Sequence, residues 1–342
     1  LNHQVNVIAD RLICAIRSAI SSASFRHGGV NCMINRIILL FLLAGMAAAF
    51  GCSKTPVPVP TQWPEPTAVS GARALEEATQ FVALGPRDSG TPGAEKAAAY
   101  LEGKLKGLGL RTVVDTFEDV TPAGTQTFRN VMGRLTGTQP ETIILLSHYD
   151  TKSGISSNFV GANDSGSSTG LLLELARVLR ERQGGPTLEF LFTDGEECRV
   201  AYGPIDGLHG SRRRARQLKE SGEAAYVRAV IVLDMIGDRD LRVSVPRNCE
   251  PKLGVAVFTA AEALNLRQHF ALADGAILDD HVPFWAAGMP AVNLIDFSYG
   301  TGGRDNSYWH TPQDTIDKLS AESLEIVGRV VVQLLKDGAG RD

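Results

Sequence analysis

Two periodicities alternate along this chain from about Gly71 onward. Apolar residues recur at three- and four-residue spacing over Gly71 to Leu84 and over Gly93 to Leu108, the second stretch opened by Thr91-Pro92-Gly93. That spacing predicts amphipathic helices. Thr142-Ile143-Ile144-Leu145-Leu146-Ser147 is instead a continuous apolar run of strand length, as expected where both faces of a sheet are covered. The same reading gives a helix from Gly166 to about Arg182, a strand Thr187 to Thr193, a helix around Ser211 to Glu220 and a strand Val227 to Met235. A helix Pro251 to Leu264, a strand Ala291 to Ile295 and a closing helix Ala321 to Leu335 complete the series. Such alternation predicts an α/β domain, a three-layer α/β/α sandwich around a mostly parallel central sheet. With no internal repeat and no second composition zone, a single domain over residues 71–338 is the economical reading.

The polar residues gain meaning from where they fall. His148-Tyr149-Asp150 follows the first apolar strand, and Asn163-Asp164-Ser165 follows a Gly-rich loop. Asp194-Gly195-Glu196-Glu197 follows the second strand, Asp234 ends the third, and Trp309-His310-Thr311 comes after the fourth and another Gly-rich loop. In a parallel α/β sheet, ligands bind beyond the carboxyl ends of the strands, so these clusters converge on one rim. Singly, each has an ordinary explanation: a histidine is often a surface or hydrogen-bonded residue, and an Asp in a Gly-rich loop is a turn former. Together they form an imidazole and carboxylate set of the kind zinc accepts, and a catalytic zinc needs three such ligands with one position open. Asp150 would orient the His148 imidazole if the backbone between them alternates as a strand.

Charge and composition exclude other classes. The chain of 342 residues is 44% apolar with a formal charge of −4, enough for a sizeable core and without the clustered Lys and Arg that a nucleic-acid partner requires. Arg212-Arg213-Arg214 is the nearest approach to a basic block and reads as a solvated helix face. Of the five cysteines, Cys198 and Cys249 lie in the body, where pairing stays open.

The first residues read as a processing signal. Met33 starts a short basic lead ending at Arg36, followed by apolar or small residues from Ile37 to Gly51, too short to span a bilayer comfortably. Residues 1–32 are then upstream of the true start, and 33–52 form a lipoprotein-type signal ending in Ala49-Phe50-Gly51-Cys52, with cleavage near Ala47-Ala48-Ala49 as the simpler alternative. Residues 53–70, carrying Pro56, Pro58, Pro60, Pro64 and Pro66, read as a stiff Pro-rich linker. The expectation is an exported, periplasmic or cell-surface protein held to a membrane through a lipid on Cys52.

The motifs His148-Tyr149-Asp150, Gly161-Ala162-Asn163-Asp164, Asp194-Gly195-Glu196-Glu197, Leu233-Asp234-Met235-Ile236-Gly237, Asp279-Asp280-His281-Val282-Pro283-Phe284 and Trp309-His310-Thr311 resemble those of the zinc-dependent aminopeptidases, a family that includes the animal-type glutaminyl cyclases. The resemblance runs in order from about Arg73 to Leu335 and implies a phosphorylase/hydrolase-like sandwich acting on peptide or protein N-termini. For the aminopeptidases it implies two zinc ions on His148, Asp164, Glu197, Asp234 and His310, with Asp164 bridging and Glu196 as general base. For the cyclases it implies one zinc on Asp164, Glu197 and His310, with Glu196 carrying the proton and Asp234 and Asp279 supporting it; His148 and Asp234 then form an outer layer.

Asp279 before Asp280-His281, Trp309 beside His310, and Asp206-Gly207-Leu208-His209-Gly210-Ser211-Arg212 are similar to the cyclases. Their second pocket tryptophan, five residues after the zinc Glu, is Tyr202 here, smaller and with a hydroxyl that needs a partner. Trp309 as a core residue and Tyr202 as a surface aromatic are the plain alternatives to a pocket role. Three functions stay in view: cyclisation of N-terminal glutamine, hydrolysis of the first peptide bond, and a non-catalytic binding domain, the last disfavoured because every ligand position is filled. On the N-terminal reading, replacing Met33 is expected to abolish expression, and mass spectrometry of the mature protein is expected to find Cys52 as a lipidated first residue; a mature chain beginning upstream of Met33 would overturn it.

Overall fold

A computed structural model of the chain describes residues 61–301 and 305–340. The N-terminal signal, Cys52 and the linker up to residue 60 lie outside the described residues. Eight strands form one mixed sheet: β1 (Arg111–Thr121), β2 (Gly124–Leu135), β3 (Thr142–His148), β4 (Thr187–Thr193), β5 (Val227–Asp234), β6 (Val243–Val245), β7 (Phe270–Leu272) and β8 (Ala291–Ile295), in the order β1-β2-β4-β3-β5-β8-β6-β7. The described α-helices are α1 (Gly71–Val82), α2 (Pro92–Gly107), α3 (Ser168–Leu179), α4 (His209–Glu220), α5 (Pro251–Ala263), α6 (His281–Ala286) and α7 (Ala321–Lys336).

The central strands β4, β3, β5 and β8 run parallel, so all four carboxyl ends open on one edge. Alternation along β3 divides the core. Ile143 and Leu145 join a large cluster with residues of α1, α2, α3, α5 and α7, whereas Ile144 and Leu146 meet Ala215 and Leu218 of α4 and Phe284 of α6 on the opposite face. Both faces are therefore covered, which is why the central strands are predominantly apolar. The three-layer sandwich expected from the alternating pattern is the observed one.

The sheet is less uniformly parallel than the pattern implied. Residues 111–135, given no element from sequence, form a long antiparallel hairpin whose second strand adds to β4. β1 is an edge strand that buries little beyond Phe117 and Thr121, so it lacks an apolar signature. The turn is closed locally: the Thr121 hydroxyl donates to Gly124 O (2.8 Å) and accepts from Ala123 N (3.1 Å). β6, β7 and α6 also went unread, being three, three and six residues long. Residues 61–70, taken as spacer, are packed on the domain: Gln62 pairs with Gln183, the Arg182 guanidinium lies over Trp63, and Val69 is buried.

The basic triplet is not a solvated face. Arg213 makes a bidentate pair with Asp115 of β1 (3.0 and 3.2 Å), and Arg214 makes one with Glu189 of β4 (2.8 and 2.6 Å). Glu189 is fully buried within an otherwise apolar strand, so a charge of opposite sign had to be supplied from the covering helix. Cys198 and Cys249 are both free thiols, each buried. Arg214→Ala would leave the Glu189 carboxylate buried with only the more distant Arg134 (3.6 Å) opposite it. It is expected to lower stability by about 3 kcal/mol in urea unfolding; a loss below about 1 kcal/mol would show that the pair is not needed.

Candidate active site

The functional side chains come from the carboxyl ends of the parallel strands, and the local backbone is shaped to present them. β3 delivers His148 and β5 delivers Asp234, after which Met235 takes a left-handed φ of 51° that turns the chain sharply away. Asp164 lies in an irregular helical turn, Ala162–Ser167, where its own φ of −107° and ψ of 85° leave the helical range. This is why α3 begins at Ser168 rather than at Gly166. Gly161 is obligatory here: a Cβ on it would stand 2.0 Å from Asp164 O. His310 itself has a left-handed φ of 53°, a strained setting for a residue with a side chain, and one that functional positions often show.

These residues meet. His310 Nε2 is 2.9 Å from Glu197 Oε1 and 3.2 Å from Asp164 Oδ2, while His148 Nε2 is 3.1 Å from Asp164 Oδ1 and 3.2 Å from Asp234 Oδ1. Asp164 thus offers one oxygen to each of two triads, Asp164-Glu197-His310 and His148-Asp164-Asp234, and within each triad the donor atoms lie within 4.8 Å of one another. Tetrahedral ligands about 2.0–2.1 Å from a zinc ion stand about 3.3 Å apart, close to these separations. Glu197 Oε2 is buried without a hydrogen-bond partner, with Lys152 Nζ 3.7 Å away. A bare buried carboxylate oxygen beside an imidazole and a second carboxylate is what a cation ligand looks like before it is engaged, and the donor set fits zinc.

The electrostatics say the same. Burial pushes the Glu197 carboxyl up to about 7, with the charge of Asp164 adding to it, and pushes Asp234 up to about 8 despite the hydrogen bond from His148. Glu196 is raised well above the ordinary carboxyl range by burial and by Asp279. Burial alone would raise Asp164 too, but its two imidazole partners outweigh that and hold it well below the usual range. The wall is crowded with acids that raise one another's proton affinity, a repulsion that a bound cation would relieve.

Asp150 is placed differently from a simple imidazole orienter. It stands 3.5 Å from His148 Nδ1, which has no geometric hydrogen bond, and its two oxygens instead accept the backbone N–H groups of Glu196 and Glu197 (3.2 Å each). Asp279 sits in the pocket wall, one oxygen accepting from Asn293 Nδ2 (2.6 Å) and the other from Asp280 N. Trp309 stacks on the His310 ring at 3.9 Å and meets Phe297 at 5.0 Å; it is neither a core residue nor detached from the site. The Tyr202 hydroxyl donates to both Glu196 oxygens (3.0 and 3.1 Å). These groups border a cavity of 300 Å³ whose apolar side is Ile277, Leu278, Ile295, Phe297 and Trp309.

Three contributors were not read from sequence. Asp314 accepts from Asn163 N (2.7 Å), Asp164 N (3.2 Å) and the Tyr299 hydroxyl (2.7 Å), clamping the backbone that carries Asp164. Arg87, fully buried, donates to Tyr149 O (2.8 Å) and Val160 O (2.8 Å), tying together the two ends of the loop between β3 and Asp164. Phe297 follows β8 directly and supplies an aromatic wall. An acid four residues after His310 and an arginine in a loop carry no spacing signal; an aromatic just past a strand end was the one legible cue.

A mixed, mostly parallel α/β sandwich with an imidazole and carboxylate site at the carboxyl edge of its sheet defines a class of metal-dependent hydrolase-like enzymes. The chain belongs to that class's peptidase family M28, whose model matches residues 130–335; it is an enzyme of that family. It is 30% identical over 284 residues to a glutaminyl-peptide cyclotransferase-like protein of Bos taurus, covering 74% of this chain and 72% of the relative. Its fold superposes on the crystal structure of an Acidobacteriales bacterium glutaminyl cyclase with TM-score 0.76 and 33% identity, over 85% of this chain and 99% of that one. A Zn-dependent exopeptidase from Parabacteroides distasonis shares the fold at TM-score 0.71 and 23% identity, over 82% and 100% of the two chains. His310→Ala is expected to release most of the protein's zinc on dialysis while circular dichroism stays unchanged; retention of parental zinc would remove His310 from the ligand set.

Proposed function

We propose that this protein is a zinc-dependent glutaminyl-peptide cyclotransferase, which closes an N-terminal glutamine to pyroglutamate and releases ammonia. The observation that carries the reading is the aromatic-walled cavity over Glu196, in which Trp309 lies flat against His310 with Phe297 beside it. That floor suits the planar amide of a glutamine side chain. The names of the bovine relative and of the acidobacterial structure support the same activity.

Asp164, Glu197 and His310 would hold the zinc, and His148, itself in contact with Asp234, would brace Asp164 from behind through its other oxygen. Zinc, when bound, supplies Lewis acidity to the side-chain carbonyl of the substrate. Glu196 faces the cavity and takes a proton from the substrate α-amine as that nitrogen forms its bond to the amide carbon. It then passes a proton to the amide nitrogen, which leaves as ammonia when the carbon–nitrogen bond breaks, so Glu196 ends as it began. Burial, with the charge of Asp279 adding to it, raises the proton affinity of Glu196 to suit this double task. Asp279, anchored by Asn293, accepts a hydrogen bond from the substrate amine or amide and fixes its direction.

One observation favours a second reading, hydrolysis of the first peptide bond. Asp164 presents a separate oxygen to the His148-Asp234 pair, and that triad would take a second ion. We assign the protein to an exported, lipid-anchored location on the strength of residues 33–52, and peptide or protein N-termini as its substrates.

Incubated with a Gln-initiated peptide, the zinc-loaded protein is expected to lower the peptide mass by one ammonia and to carry about one zinc per chain. Loss of the whole first residue, with two zinc ions per chain, would establish the peptidase instead. Glu196→Gln is expected to keep its zinc and lose about 100-fold or more in kcat; parental turnover in this variant would refute Glu196 as the proton carrier under either activity.

A further inference from the structure

Tyr202 belongs to a loop that begins and ends on the residue it touches. The chain leaves Glu196, runs out through Cys198 and returns at Leu208, whose N–H donates to Glu196 O (2.9 Å). The next two amides, His209 N and Gly210 N, donate to Gly195 O (2.8 Å) and Asp194 O (2.9 Å), so the neck of the loop is zipped to the segment carrying the two glutamates. Within the loop, the Asp206 carboxylate accepts three successive backbone N–H groups, those of Arg199 (2.6 Å), Val200 (2.8 Å) and Ala201 (3.0 Å). Gly203 and Asp206 exchange a pair of backbone hydrogen bonds. Outside, the Arg199 guanidinium docks the loop on Ser89 O (3.0 Å) and Gln126 Oε1 (2.8 Å). Little is left in this backbone to move.

What the rigid loop carries inward is one hydroxyl. Gly207, at φ 77°, gives the Tyr202 ring its seat: a Cβ there would fall 2.4 Å from Tyr202 Cδ1 and 3.0 Å from Glu196 O. From that seat the hydroxyl lies equidistant, within 0.1 Å, from the two Glu196 oxygens (3.0 and 3.1 Å). A donor shared between both oxygens fixes the rotation of the carboxylate plane while leaving a lone pair on each for a substrate proton. The other polar neighbours of the cavity are carboxylates and imidazole, and the carboxylates repel Glu196 rather than hold it.

We propose that Tyr202 is a positioning residue that fixes the Glu196 carboxylate in its proton-transfer orientation, with the loop from Cys198 to Gly207 as its mount. The inference rests on Glu196 as the proton carrier, and it holds for cyclisation and for hydrolysis alike. A tyrosine that only walled the cavity would serve equally well as phenylalanine.

Tyr202→Phe keeps the ring and removes the hydroxyl, and so separates the two roles. Steady-state kinetics are expected to show kcat reduced roughly 10- to 100-fold, the range for losing a hydrogen bond to a charged acceptor, with KM within about twofold of the parent and zinc content unchanged. If the parent cleaves rather than cyclises peptides, the same comparison is made on cleavage, so that failure of the cyclase assignment is read separately. A crystal structure of the zinc-loaded Tyr202→Phe protein supplies a readout independent of turnover: the Glu196 carboxylate is expected to rotate or split between orientations. Parental kcat in the Phe variant, a raised KM at parental kcat, or a Glu196 side chain unmoved in that crystal would each overturn the proposal.

Discussion

The structure turns on how many carboxylates can be buried in one place. Asp150, Asp164, Glu196, Glu197, Asp234, Asp279 and Asp280 are all buried along the carboxyl edge of the sheet, and each ionised group left without compensation there would cost several kcal/mol. The protein divides them by how they are compensated. Asp150 and, nearby, Asp206 and Asp314 receive backbone N–H groups and serve to fix loops. Asp164 is shared between two imidazoles, and Glu197 retains an oxygen with no donor at all. The acids of the first group exchange lost water for backbone donors, and in Asp206 three such amides outweigh burial and hold the carboxyl below its usual range. Glu197 Oε2 has no such donor, and the site therefore pairs an amide-capped scaffold with a donor set that fits a cation.

The scaffold reaches the ligand set through the backbone. Asp150 caps the amides of the two glutamates, Asp314 caps those of Asn163 and Asp164, and the Asn163 side chain links Met235 O (3.1 Å) to Gly237 N (2.8 Å). Loops from β3, β4, β5 and the segment after β8 are thereby cross-tied at their bases. Positioning ligands this way costs little side-chain entropy, since each acid is short and each amide already ordered. It also explains why the left-handed residues Met235 and His310 are tolerated: their surroundings over-determine them.

Much of this was legible in the chain, and the legible part has a common cause. Strands buried on both faces are predominantly apolar, so β3, β4, β5 and β8 stood out, and a polar cluster after each strand announced the rim. What was hidden lacked either periodicity or length. β1 faces water on an edge and alternates weakly; β6 and β7 are too short for a period to register; Asp314 and Arg87 act on backbone atoms, which any sequence supplies. The reading of Arg213 and Arg214 as solvated failed because their partners, Asp115 and Glu189, are distant in sequence and one of them is concealed in an apolar strand. Helix ends were read to within a few residues, including the start of α3, where Asp164 and Ser165 leave the helical range just ahead of it.

The contrast between Asp164 and Glu196 shows how one wall can hold acids with opposite duties. Asp164 meets two imidazoles and is kept charged, as a ligand must be. Glu196, one residue from Glu197, meets no cation from this chain at hydrogen-bond distance; it receives only a neutral hydroxyl from Tyr202, and burial with the repulsion of Asp279 raises its proton affinity. Their backbones are tied into one network, yet on the proposed mechanism one carboxyl stays ionised and the other exchanges a proton. The difference comes from which side chains the folded loops bring opposite each acid, and no feature of the Glu196-Glu197 dipeptide itself would distinguish the proposed carrier from the proposed ligand.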